Sequence, residues 1–584
     1  MKFKNTFQII LLYAILFNIF LIFINLNPSQ QLLLRLIPSF LLVNYFLLFI
    51  LLLLSFKNIK NEFKKIDKKI WIALLLILLL GFSLRMFVAP HAHRVLFDED
   101  IYLNVAQNIK NELKACLCDY GTTNECYVCI PNKQPHAYST FISMFFFFFG
   151  VKESVAYTTT IIIGTLSIFL IFAMVYLLFR RQSTALYASL LFALIPEHIR
   201  WSATTSLGPF FVFTTLLTVI LFLLYFRTKS YLILTTAILS FAIALQGRPE
   251  ASLLVILIGL LFILFNKNLL KDIKNYRFIL LILLLMILIT PNIIHLKKVS
   301  SSAWGSPGEK FSLDYMDTNA KDNTKFFFEN TRFPVIFTIL AIIGMICSAI
   351  ERKKELLLLL IWFFLFFGSY AIFYAGSFNY GTDVRFSLNL YPSVAIFAAV
   401  ALAFIENILS KINSSINSIK YYFLKLIIKK EYFNLKRPEK SRIAVWFVRV
   451  IIILLVLFSM VPFINYISTY GEKAWDARAV HDFAVAESER MQQKDCYVFS
   501  HTSSIFLVNG VNSLQTHFQT NNRIVNDIFK KTDCVLFYEG YWCVNVEAHK
   551  EGICKRMHDD FDLTVYSARN ERNKNFTLYT VERK

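Results

Sequence analysis

Long apolar runs recur from one end of this sequence to beyond residue 460. Windows of about 20 residues, the length a helix needs to cross some 30 Å of hydrocarbon, pick out 7–27, 31–56, 70–90, 154–179, 183–196, 206–226, 231–246, 250–266, 278–295, 333–350, 355–376, 386–408 and 444–466. About thirteen runs of that length predict a polytopic all-α membrane protein, because a helix satisfies its own backbone groups where no water can. With 56% hydrophobic and only 17% charged residues among 584, the chain has too little polar surface for a soluble fold. "YSTFISMFFFFFG" at 138–150 is apolar but short of a crossing, which predicts a re-entrant or interfacial piece.

The formal charge of +21 falls in short clusters between the apolar runs and forms no single patch, which argues against a nucleic-acid partner. Basic connections at 57–69, 180–181, 227–229, 266–277, 351–355 and 409–443 all lie on one face if the N-terminus is cytoplasmic. The loop 91–137, the loop 296–332 and a polar region from 467 to 584 then face outward. That last region alternates helix (near 473–493) with strands "CYVFS", "CVLFYE", "LTVYS" and "FTLYTV". It is expected to be an extracytoplasmic α/β domain, separate from a membrane domain at 1–466.

Cysteines partition in the same way. Cys116, Cys118, Cys126 and Cys129 lie in the first large loop, and Cys496, Cys534, Cys543 and Cys554 lie in the C-terminal domain. Even numbers on the outer side favour structural disulfides, although the loop spacing would also suit a four-thiolate zinc site.

Three consecutive acids, Asp98, Glu99 and Asp100, follow the run 70–90. Ionised carboxylates do not sit in hydrocarbon without a partner, so they mark a water-facing edge. They open an amphipathic pattern with Ile101, Val105, Ile109 and Leu113 on one stripe, expected to lie flat on the membrane with the acids at its N-terminus. One acid would suffice for a helix cap; three repel one another unless a cation is near, which favours a site.

In chain order, the acidic "DE" pair, "ALIPEHIRWSATT" at 193–205, "QGRPE" at 246–250 and "DVRFSLNLYPSVAI" at 383–396 resemble the GT-C membrane glycosyltransferases, in the protein O-mannosyltransferase and aminoarabinose-transferase branch. The likeness covers roughly 70–408. Two departures stand out: that branch's "HPPL" or "KPPL" is here "QPHAY", with Pro135 and His136, and two runs precede the one feeding the acidic loop where the branch has one. The oligosaccharyltransferase signature "WWDYG" has only "NYGTD" at 379–383 as its nearest phrase.

The resemblance implies the GT-C fold and inverting transfer of a sugar from a polyprenyl- or dolichyl-phosphate donor to a hydroxyl acceptor, at the outer face of a plasma membrane. It implies Asp98 as base, with Glu99 orienting it or sharing a divalent cation (Mg or Mn) with Asp98 and Asp100. Activating a hydroxyl needs a nearby carboxylate, and a departing lipid phosphate needs cationic donors. Arg385, Arg248 and Arg200 are the candidates for that role, although Arg200 beside Trp201 equally suits an interfacial anchor. His91, His93 and His136 are candidate substrate contacts. Competing readings are an oligosaccharide transferase or polymerase of the same superfamily and a non-enzymatic transporter or flippase. The second of these expects mid-span charges, of which only Arg35 stands out.

Overall fold

The computed structural model describes residues 28–584 apart from 96, 267–269, 271, 273, 300–308, 380–382, 428–441, 470–474, 493 and 572–573. Every apolar run from 31 onward is helical, and the run 7–27 lies outside the described residues. Among the described residues, seven helices are long and apolar enough to cross a membrane: Gln30–Phe63, Lys68–Val88, Glu153–Phe179, Leu207–Thr228, Tyr276–Val299, Lys353–Ala371 and Asp383–Leu409. Shorter apolar helices accompany them at His136–Phe149, Tyr231–Leu245, Pro249–Phe265, Val335–Ile350 and Trp446–Phe458. Their facing sides merge into one large apolar core, while residues such as Phe46, Leu76 and Phe87 remain exposed, as helix faces toward lipid should.

The short piece at 138–150 is the helix His136–Phe149, which begins among buried residues and ends with Phe147, Phe148 and Phe149 exposed.

Basic connections gather at one end of the bundle. Arg180 pairs with Glu62, and Gln182 donates to the Lys65 carbonyl. Arg227 donates to the Leu177 carbonyl, Lys229 pairs with Asp272, and Lys354 donates to the Leu264 carbonyl. These contacts tie together five of the six basic stretches; of the sixth, 409–443, residues 428–441 lie outside the described residues.

The other end carries a seven-stranded sheet of order β2-β1-β4-β3-β5-β7-β6. Its strands are β1 (Leu117–Gly121), β2 (Cys126–Ile130), β3 (Tyr497–Ser500), β4 (Asn512–Gln515), β5 (Val535–Glu539), β6 (Phe561–Glu571) and β7 (Lys574–Arg583). β3 runs parallel to β4 and β5; all other pairs are antiparallel. The hairpin β1–β2 comes from the acidic loop, and its Tyr120 and Gly121 pair with Leu514 and Ser513. Loop 91–137 and the C-terminal region therefore share one sheet. The loop cysteines form disulfides Cys116–Cys129 and Cys118–Cys126, and the others form Cys496–Cys534 and Cys543–Cys554. With all four loop sulfurs oxidised, the zinc alternative for that loop is set aside.

The acidic helix, Asp98–Glu112, does not lie flat on a membrane. Residues 99–109 are all buried. Ile101, Val105 and Ile109 pack with Ala115 and Leu117, Leu103 and Ala106 enter the membrane core, and Gln107 donates to the Leu507 carbonyl of the C-terminal domain at 3.0 Å. The amphipathic stripe is covered by protein on both sides, and only Leu113 at its end is exposed.

Candidate active site

The acidic helix starts abruptly. Phe97 precedes it with φ 77°, and no side chain caps it, so Asp98 is a first-turn residue and not the cap. Consecutive helical residues point about 100° apart, which sends the three acids to three different sets of partners. One cation shared by Asp98, Glu99 and Asp100 does not fit this geometry.

Asp98, a quarter exposed, faces Arg385 Nη1 at 3.2 Å and accepts from Gln134 Nε2 at 3.2 Å. Gln134 also accepts from the Tyr102 hydroxyl. Glu99 is fully buried; it accepts the Arg94 backbone N–H and the Thr205 hydroxyl, each at 3.1 Å. Burial pushes its carboxyl above the usual range, against the opposing pull of His93 and those two hydrogen bonds. Glu99 thus fastens the loop before the helix to the turn after "RWSA", and it orients Asp98 only through the backbone. Asp100 turns to His93, 3.3 Å from its Nδ1.

The sequence phrases that carried the likeness converge here. Arg385 and Arg248 both stand over the Phe386 ring, at 5.4 and 5.0 Å from its centroid. Arg248 is buried, 2.7 Å from Glu250, and Glu250 accepts from the Tyr370 hydroxyl, which itself accepts from Asn389. Arg248 Nη1 is buried without a hydrogen-bond partner among the described residues. A guanidinium N–H in that condition suits an incoming anion. Asp98, Arg385, Arg248 and Glu99 all lie within electrostatic reach of Tyr102, so they form one neighbourhood.

Arg200 belongs to an adjacent cluster. It lies over the Tyr466 ring at 4.1 Å, pairs with Glu197 and donates to the Thr469 carbonyl. Buried as it is, it is no simple membrane-interface anchor. The histidines separate as well. His91 is exposed and stacks on Tyr157, and His136 is buried with its Nε2 3.3 Å from His295. His93 joins Asp100, Glu153 and His481 in a group whose ligand atoms all lie within 4.8 Å of one another and could hold a metal ion.

Sequence reasoning missed Gln134, Tyr102, Thr205 and Glu250, although all but Tyr102 sit within or beside the phrases it used. It also missed Glu153 and His481, whose neighbours in sequence carry no signal of their partnership, and the buried Arg85, which donates to His198 Nδ1 at 2.8 Å and to the Gly81 and Ala193 carbonyls at 2.7 and 3.4 Å.

Residues 133–295 match the family model described as dolichyl-phosphate-mannose-protein mannosyltransferase. No curated protein sequence matches. Among solved structures, the chain is similar to ArnT from Cupriavidus metallidurans bound to undecaprenyl phosphate, at 12% identity and TM-score 0.54, over 88% of this chain and 98% of that one. It is also similar to the apo oligosaccharyltransferase of Archaeoglobus fulgidus, at 11% identity and TM-score 0.50, over 88% and 74% of the two chains. The chain has the GT-C fold. The family match contains Gln134, Arg200, Thr205 and Arg248 but begins after Asp98 and ends before Arg385. Those two residues meet through the helical bundle itself, which brings the first-turn acid and the late arginine to 3.2 Å.

Proposed function

We propose that this GT-C protein transfers a sugar from a polyprenyl-phosphate carrier to a hydroxyl acceptor, with inversion, at the outer face of a plasma membrane. The reading rests on one observation: a partly exposed carboxylate, Asp98, paired with Arg385 beside the buried and incompletely bonded Arg248. The acceptor O–H gives its proton to Asp98 as its oxygen attacks the anomeric carbon, and the phosphate–sugar bond breaks on the opposite face. Arg385 and Arg248 receive the negative charge on the departing phosphate. In the free protein Arg385 pairs with Asp98 at 3.2 Å. A bound donor phosphate competes for the same guanidinium, which frees the Asp98 carboxylate to meet the acceptor hydroxyl. Glu99 acts as a positioning residue. A divalent cation would have to enter from the substrate side, since Asp98 and Glu99 share no common ligand position.

The family match makes mannose the first sugar to try, and a relative of this fold solved with undecaprenyl phosphate supports a long-chain carrier. The basic end of the bundle supports a cytoplasmic location for it, and the four disulfides support an oxidising one for the sheet. The test is incubation of the purified protein with labelled polyprenyl-phosphate mannose and a hydroxyl-bearing acceptor mixture. Release of free polyprenyl phosphate with label in the acceptor is the expected result; intact donor across a panel of sugars and acceptors rejects the reading.

A further inference from the structure

We propose that His93, Asp100, Glu153 and His481 form a structural zinc site that clasps the C-terminal domain onto the membrane domain. The four residues come from four different places. His93 lies in the segment after the span Lys68–Val88, Asp100 in the first turn of the acidic helix, Glu153 at the start of the span Glu153–Phe179, and His481 in the C-terminal-domain helix Trp475–Met491. Their donor atoms lie within 4.8 Å of one another. Tetrahedral zinc with bonds of about 2.0–2.1 Å sets its ligand atoms roughly 3.3 Å apart, so closing this cage needs only small side-chain rotations.

Three observations point to a metal and away from a bare polar cluster. First, His93 is 1% exposed, and neither of its ring nitrogens makes a hydrogen bond among the described residues, although Asp100 and Glu153 carboxylate oxygens stand 3.3 and 3.9 Å from them. Second, the His93 and His481 rings lie with centroids 3.9 Å apart. Two imidazolium rings so close would repel, whereas two neutral imidazoles and two carboxylates around a dication are electrically neutral, as a buried site requires. Third, a carboxylate stands beside the cluster. His481 presents Nε2 to Glu153 at 2.6 Å, and the Asp482 carboxylate lies 3.9 Å from its Nδ1, a short side-chain rotation from the carboxylate–histidine–metal arrangement. Asn509 also donates to Glu153 Oε1. Two imidazoles with two carboxylates suit zinc better than magnesium or calcium, and four protein ligands leave no open position of the kind a catalytic zinc keeps.

Asp98 is not among the ligands, so this site is distinct from the one proposed for transfer and does not depend on it. Its consequence is mechanical: the metal would hold His481 of the roof against the helix that carries Asp98.

The test uses the full chain, purified in detergent without an affinity tag and dialysed exhaustively, with metal content measured by mass spectrometry. About one zinc per chain is expected. After chelation, zinc should restore thermal stability and resistance of the 467–584 region to limited proteolysis, and magnesium should not. His481→Ala and Asp100→Asn should each weaken zinc binding by more than the roughly 10–100-fold that loss of an outer partner costs. Asp482→Asn should weaken it within that range. Retention of the four disulfides and a monodisperse elution profile certify the variants as folded. Folded wild-type protein that takes up no stoichiometric zinc, or a folded His93→Ala/His481→Ala double variant that binds it as tightly as wild type, overturns the proposal.

Discussion

Asp98 and Arg385, separated by almost three hundred positions in sequence, meet at 3.2 Å where the acidic helix faces the late "DVRF" segment. The pair sets the sign of two variants. Asp98→Asn keeps the shape and the bond from Gln134 but cannot take a proton, so turnover should fall by about 10²–10⁴. Arg385 is released by the same change, so donor binding should stay level or tighten. Loss of turnover together with a higher donor KM would mean that Asp98 is a binding residue and that the base lies elsewhere.

Arg385→Ala removes a charge-assisted bond to the donor phosphate, worth about 1.5–3 kcal/mol, and should weaken donor use by one to two orders of magnitude. Arg385→Lys keeps the charge without the planar fork and should fall between the two. A donor titration of the three proteins is sufficient, and equal KM and kcat in all of them would remove Arg385 from the site.

The loop disulfides should matter to the site as well as to the hairpin. Asn104 of the acidic helix accepts the Cys118 backbone N–H at 2.8 Å, and Asn108 donates to the Cys116 carbonyl at 2.9 Å. Cys116→Ser/Cys129→Ser should cost about 2–4 kcal/mol of stability and lower activity through the displaced helix. Thermal unfolding and transfer assays on the same preparation test this; a stable, fully active variant would show that the helix holds its place without the staple.

Sidedness follows from charge and can be read directly. Cysteines introduced at the exposed positions Lys65 and Asn124 lie at the basic end of the bundle and at the hairpin. In intact cells an impermeant thiol reagent should label the second and not the first. The reverse pattern would invert the topology and move the proposed transfer to the cytoplasmic face.

The helices were legible because each carries its own signal: a span announces itself by length and hydropathy, and the strands "YVFS" and "VLFYE" by apolar β-branched and aromatic runs. β4, "NSLQ", has no such signal and forms because β3 and β1 flank it. The acidic stripe gave the right helix and the wrong cover, since Ile101 and Val105 pack equally well against protein or lipid and periodicity cannot tell which. Asp98, Arg248 and Arg385 were legible through the phrases around them. Glu153 and His481 were not, because 328 positions separate them and only the folded sheet domain brings them together.

Glu99 offers a test through pH. Its carboxyl is pushed up by burial, so between the unfolded pKa and the raised folded one the native chain holds a proton that the unfolded chain has released. The contribution of Glu99 to stability is therefore complete below the unfolded value, near 4.5, and is lost as pH rises through the folded one. The slope approaches about 1.4 kcal/mol per pH unit within that window. Glu99→Gln still offers an acceptor to the Arg94 N–H or the Thr205 hydroxyl and has nothing to ionise. Relative to wild type it should gain stability steadily from pH 5 upward until the folded pKa is passed, then run parallel. Turnover of Glu99→Gln should fall far less than that of Asp98→Asn, since it holds the helix start in place without touching the acceptor. A difference curve that is flat across the range would mean that Glu99 is ionised in the native state and balanced by His93. A loss of turnover equal to that of Asp98→Asn would make it a partner in the chemistry.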